Sequence, residues 1–101
     1  VSGEGTKGGY SPTDVPVEAE RLRRLSGIVC RGVMTMAPFD ADVGTLRKVF
    51  AGARKSREQL REAGHPATEL SMGMSGDYEV AVEEGATLVR LGTVLFGARA
   101  A

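Results

Sequence analysis

The chain has 101 residues, 42% of them hydrophobic, and its 13 Lys plus Arg balance 13 Asp plus Glu for a net charge of zero. That length suits one small domain, and the composition argues against global disorder. The balanced charge provides no basic stripe for nucleic acid, and no apolar run approaches the ~20 residues of a membrane helix.

Residues 1–12 form a loop dominated by Gly, Ser and Thr. Its Gly3–Gly9 stretch superficially suggests a Walker A loop. That motif requires Gly directly before the Lys and Ser or Thr after it, whereas Thr6 and Gly8 flank Lys7, so the match is rejected. Lys7 reads as a solvated loop lysine. Asp14 is placed to cap a helix, Pro16 is tolerated in its first turn and Glu18 suits the positive end of the dipole. Val15, Ala19, Leu22 and Leu25 fall at helical spacing, with Arg21, Arg23 and Arg24 on the solvated face, and Ser26-Gly27 ends the helix.

Ile28 to Met36 is a near-continuous apolar run between Gly27 and Pro38, and reads as a strand covered on both faces. Asp40 or Asp42 caps the next helix, whose buried stripe is Val43, Leu46, Phe50, Ala53 and Leu60. Arg54, Lys55, Arg57 and Glu58 lie outside it. Gly64 fits its C′ position and Pro66 lies just beyond. Glu69–Met74 is a second strand. Gly76-Asp77 opens a short helix over Tyr78–Glu84, closed by Gly85. Thr87–Leu91 is a third strand ending at Gly92-Thr93, followed by a short tail.

Strands alternating with helices imply right-handed parallel βαβ units. Three strands cannot close a barrel, a whole barrel needs roughly 250 residues, and an open parallel sheet this small leaves two edges bare. The chain therefore reads as a piece of something larger, with a small three-layer α/β domain as the alternative; the opening Val1 in place of Met agrees. The lone Cys30 excludes a disulfide framework and suggests a reducing cytoplasm. With His65 it falls short of the four ligands typical of structural zinc. No charged-then-apolar segment opens the chain, so no secretory signal is expected.

In parallel α/β folds, ligands bind beyond the carboxyl ends of the strands. Here those ends are Met34–Pro38, Ser71–Asp77 and Arg90–Thr93. The second and third suit a phosphate. Gly73, Gly76 and Gly92 let backbone N–H groups approach an anion, Ser75 and Thr93 add hydroxyls, and Ser75 precedes a helix. The same residues also make tight βα turns, and on spacing alone that reading is slightly the stronger. Arg90 shifts the balance, because a cation inside an apolar strand is costly unless paired. Its partner is either a carboxylate such as Glu69 or Glu83, or an acceptor on a ligand. His65 reads as a helix-end dipole contact and Met34, Met36, Met72 and Met74 as core filler.

Four segments resemble the pyridoxal phosphate homeostasis proteins, the YggS/PROSC-type family that binds pyridoxal 5′-phosphate (PLP). They are Val1-Ser2-Gly3-Glu4 with Lys7 and Gly9; Gly32-Val33-Met34-Thr35-Met36-Ala37-Pro38; Leu70-Ser71-Met72-Gly73-Met74-Ser75-Gly76-Asp77; and Val89-Arg90-Leu91-Gly92-Thr93 with Phe96-Gly97. The resemblance implies an α/β fold, the C-terminal half of a (β/α)8 TIM barrel of the alanine racemase N-terminal-domain type. Residues 1–101 would then be a partial barrel domain lacking its N-terminal half. The family's Schiff-base lysine is expected upstream of Val1, since Lys7, Lys48 and Lys55 sit elsewhere.

Carried over residue by residue, the family pattern puts Ser75, Gly92 and Thr93 on the cofactor phosphate and Arg90 beside the pyridine nitrogen. A guanidinium only donates hydrogen bonds, so it meets an unprotonated ring nitrogen, a weaker electron sink than a pyridinium. The implied function is a non-catalytic PLP carrier or reservoir in the cytoplasm. It would be monomeric, with PLP-dependent apoenzymes as candidate partners and with neither nucleic acid nor membrane among them. The alternative is a PLP-dependent amino-acid racemase of the same barrel class. Such a racemase needs a second acid–base group, often a tyrosine from a separate β domain, and the only tyrosines here are Tyr10 and Tyr78.

Overall fold

Asp42 settles where the long central helix begins. Its Oδ1 accepts from the Thr45 amide at 2.7 Å, whereas Asp40 lies in the loop before it at φ +57°. In a computed structural model of the chain, which describes residues 9–97, a 3-10 turn at Pro12–Asp14 leads into α1 (Val15–Arg23). β1 (Gly32–Met34), α2 (Val43–Glu62), β2 (Glu69–Met74), α3 (Tyr78–Glu83), β3 (Leu88–Arg90) and α4 (Thr93–Phe96) follow. The Walker-like stretch before Gly9, Lys7 and most of the first family segment lie outside the described residues. Asp14 makes no side-chain cap; the 3-10 turn leads the chain into α1 instead.

The strands form one sheet in the order β1-β2-β3, with both pairs parallel. Register fixes the two faces. Val33 stands beside Leu70, and both turn toward the helices. There Leu46, Phe50 and Ala53 of α2 pack with Leu70 and Met72 of β2 and Ala81 of α3. A second cluster, Val15, Ala19, Leu60 and Ala67, joins α1 to α2 and the loop before β2. On the opposite face, register aligns Met34, Ser71 and Leu88 in one row. Met34 and Leu88 are 54% and 53% exposed. A parallel sheet with helices on one face and the large side chains of Met34 and Leu88 exposed on the other is the wall of a (β/α) barrel, seen over part of its circumference.

Turn chemistry ends α2 and α3 with the same device. Gly64 at φ +100° lets the amides of His65 and Gly64 return to the carbonyls of Leu60 and Arg61. Gly85 at φ +105° does the same for Ala86 and Gly85, onto Ala81 and Val82. These are Schellman closures, which satisfy the orphan carbonyls of a helix end. Arg47 of α2 reaches Glu83 and Glu84 at 2.8 and 2.9 Å. Arg54 donates to the Glu84 carbonyl at 2.8 Å, so α3 is tied to α2 along its last turn.

Five further expectations are corrected. The strand read over Ile28–Met36 is limited to Gly32–Met34, and Ile28 and Val29 are solvent-exposed. An apolar run signals burial but not on how many sides, and β1 is an edge strand of this sheet. Val43 is exposed rather than part of the buried stripe, because it opens the first turn of α2. Arg57 is not outside: its side chain is only 16% exposed and donates to the Thr68 carbonyl. His65 does not serve the dipole of α2; its ring Nε2 meets the Ala19 carbonyl of α1 at 2.8 Å. The short tail after β3 begins with a helical turn, α4.

Candidate functional site at the strand tips

The carboxyl end of β2 is shaped by Gly73. Pairing runs from Ser71↔Leu88 to Met74↔Arg90, so β2 spends one residue more than β3 over that span, a bulge. Gly73 takes φ +105°, and a Cβ there would stand 2.8 Å from the Ala81 Cβ and 3.1 Å from the Tyr78 Cα. Only glycine fits both the backbone angle and the space. Gly73 is thus buried against α3 and serves the bulge, so the space left by its missing side chain is taken by α3. The bulge sets Met74 opposite Arg90 and carries the chain into a turn over Met74–Asp77. In that turn the Met74 amide donates to Asp77 Oδ1 at 2.8 Å, and the Asp77 amide donates to the Met74 carbonyl at 3.1 Å.

The tip of β3 meets this turn. The Gly92 amide donates to Ser75 Oγ at 3.2 Å, and Thr93 opens α4 directly after. Among the described residues, a Cβ at Gly76 or Gly92 would meet nothing within 4 Å. Both backbones are therefore open to close approach, as a bound anion requires. Ser75, Gly92 and Thr93 are brought together at two adjoining tips, as the sequence reading placed them.

Arg90 crosses the sheet. Its Nη2 donates to the Thr35 carbonyl at 2.7 Å, so a side chain from β3 passes the end of β2 to reach the chain just beyond β1. Thr35 is held there by its own amide, which donates to the Ser71 carbonyl at 3.1 Å. The carboxylates considered from sequence are engaged elsewhere: Glu69 accepts from Thr87 Oγ1 at 2.7 Å and Glu83 accepts from Arg47. Among the described residues the guanidinium meets no carboxylate, and its Nε is buried without a hydrogen-bond partner. A half-buried cation with an unspent donor is a costly arrangement, and it lies at the end of the fold where ligands bind.

Other candidates stand apart. An apolar cavity of about 190 Å³ lies between α1 and the free edge of β1, lined by residues including Tyr10, Leu22, Cys30, Val33 and Leu60. It reaches Met34 at the tip of β1 but holds none of Ser75, Arg90, Gly92 and Thr93. Lys48 and Lys55 are exposed on α2. Among the described residues no group of three His, Cys, Asp or Glu is arranged to hold a metal, and no helix is long and apolar enough to cross a membrane. Sequence reasoning missed two residues that shape the site. Asp77 was legible, since Asp three residues after a strand end favours a side-chain turn. The Thr35 carbonyl was not, because every residue has one.

A family model for the alanine racemase N-terminal domain matches residues 2–100. The chain belongs to that family, a barrel class in keeping with the one-sided parallel sheet. It is similar to the pyridoxal phosphate homeostasis protein of Aquifex aeolicus, with 44% identity over 100 residues, covering 98% of this chain and 44% of the relative. The homonymous protein of Pseudomonas aeruginosa is 43% identical over 99 residues, covering 98% of this chain and 42% of the relative. Among solved structures, PipY of Synechococcus elongatus without PLP superposes with a TM-score of 0.84 at 40% identity, over 93% of this chain and 45% of PipY. PipY with PLP bound gives 0.80 at 40% identity, over 91% and 44%. The chain thus spans less than half the length of these relatives, and the resemblance read from its four segments is borne out.

Proposed function

We propose that the chain forms the phosphate- and ring-binding wall of a PLP-binding protein that stores or delivers the cofactor without turning over a substrate. One observation carries this reading: Arg90 stands at the strand tips with a buried, unpartnered Nε and no carboxylate beside it among the described residues. A cation so placed is completed by an acceptor that is not protonated, which the nitrogen of a neutral pyridine supplies. The open backbones of Gly76 and Gly92, with the Ser75 and Thr93 hydroxyls, fit a phosphate at the neighbouring tip. When bound, PLP supplies a reactive aldehyde and an electron-accepting ring. A guanidinium at the ring nitrogen holds that ring neutral, a weaker electron sink than a pyridinium, which suits a carrier or racemase-like chemistry more than transamination.

Several features accompany this reading. On the family pattern the covalent anchor belongs to a lysine on an earlier strand of the barrel; Lys48 and Lys55 point from α2 into solvent and Lys7 lies outside the described residues. A monomer that passes PLP to apoenzymes goes with this reading, a cytoplasmic setting suits the free Cys30, and the names of the relatives speak of homeostasis. The test is retention of PLP against pyridoxal, which lacks the phosphate, by equilibrium dialysis of the purified protein. Marked preference for PLP is expected; equal retention of the two would remove the phosphate cradle from the proposal.

A further inference from the structure

Asp77 occupies the N-cap position of α3, yet its side chain makes no bond into that helix. An aspartate at this position ordinarily accepts from an amide of the first helical turn. Here the carboxylate turns back along the chain and takes the amide of Met74, the last residue of β2. Because the Asp77 amide also returns to the Met74 carbonyl, the four-residue turn is closed from both sides. The residues held between these bonds are Ser75, whose Oγ accepts from Gly92, and Gly76, whose backbone is open.

We infer that Asp77 is a positioning residue for the phosphate, its carboxylate locking the Met74–Asp77 turn so that Ser75 and Gly76 face the anion. The inference rests on the PLP reading above. It also resolves an electrostatic oddity. A carboxylate two residues from a phosphate-binding serine repels a dianion, and such a group is tolerated only where its hydrogen bond is worth more than its charge costs. The function of Asp77 is therefore that of an acceptor at a fixed point, not of a charge. Its neutral isostere must serve as well, which a role in attracting a cation or in helix electrostatics would not allow.

The experiment compares PLP and pyridoxal retention, by equilibrium dialysis, in the parent protein and in Asp77→Ala, Asp77→Asn and Asp77→Glu. Asp77→Ala is expected to lower the PLP-to-pyridoxal ratio about tenfold, the scale of one hydrogen bond. Asp77→Asn, which keeps an oxygen acceptor for the Met74 amide, restores the parent ratio. Asp77→Glu keeps the charge but displaces the acceptor, and lowers the ratio; if Asp77→Ala does not fold, Asn against Glu decides. An unchanged ratio in Asp77→Glu or Asp77→Ala, or a reduced ratio in Asp77→Asn, overturns the inference. A parent protein that does not prefer PLP refutes the functional reading itself, a result distinguishable from either.

Discussion

The guanidinium of Arg90 donates to the carbonyl of Thr35 at 2.7 Å across the end of the central strand. This one bond ties the outer strand tips of the sheet, and with the Gly92–Ser75 contact it draws all three tips into one rim. It also fixes which donor of Arg90 is left over: Nη2 is spent on protein and Nε is not. The aim of the cation therefore depends on backbone geometry as much as on its own side chain.

Lysine at position 90 preserves the charge but carries a single ammonium group, unable to hold the Thr35 carbonyl and a ring acceptor in a planar fork. Arg90→Lys is expected to lose most of the PLP retention that Arg90→Ala loses, although its charge is intact. Dialysis against PLP measures this; retention equal to the parent would mean that charge alone suffices.

Thr35 is 2% exposed and its Oγ1 is buried without a partner among the described residues. Thr35→Val keeps the carbonyl that holds Arg90 and removes the orphan hydroxyl, whose burial costs about 1–3 kcal/mol when unsatisfied. The variant should be as stable as the parent or up to about 1 kcal/mol more stable, read from the urea midpoint. A fall in midpoint would reveal a partner for the hydroxyl.

Gly73→Ala places a methyl 2.8 Å from the Ala81 Cβ at a backbone angle of φ +105°. Strain and overpacking together should cost about 1–4 kcal/mol. Because the bulge sets where Ser75 stands, PLP retention should fall with stability. Urea unfolding and dialysis test both, and unchanged stability would remove the bulge as a determinant of the site.

The Thr45 amide holds the Asp42 carboxyl below the usual carboxylate range. A depressed folded-state pKa means stabilisation that is present above the unfolded value and lost as pH falls through the folded one. The difference in melting temperature between the parent and Asp42→Ala should therefore stay constant from neutral pH to about pH 5 and shrink in stronger acid. A difference that grows in acid would contradict the cap.

Much of this architecture was legible. β2 was bounded correctly at Glu69–Met74, because alternating Leu70 and Met72 sit between clear turn residues. α2 followed from a long 3.6-residue period with a strong cap and a glycine stop. The extent of β1 was not legible, since the apolar character of Ile28 and Val29 does not say whether a neighbour covers them. Serine, glycine and threonine at two strand ends marked the rim where Ser75, Gly92 and Thr93 converge. What fills the space at Gly73 was not legible, because a glycine that makes room for α3 looks the same in sequence as one that makes room for a ligand. The partner of Arg90 was out of reach, for a main-chain carbonyl contributed across the sheet leaves no trace in residue identity.

The most direct test is the absorption spectrum and PLP retention of Arg90→Ala beside the parent protein. If the unspent guanidinium donor faces the cofactor ring, the variant shows a displaced absorption band and retention about tenfold to a hundredfold weaker, the worth of one hydrogen bond to a charged group. A spectrum and a retention identical to the parent would show that Arg90 does no more than bind Thr35.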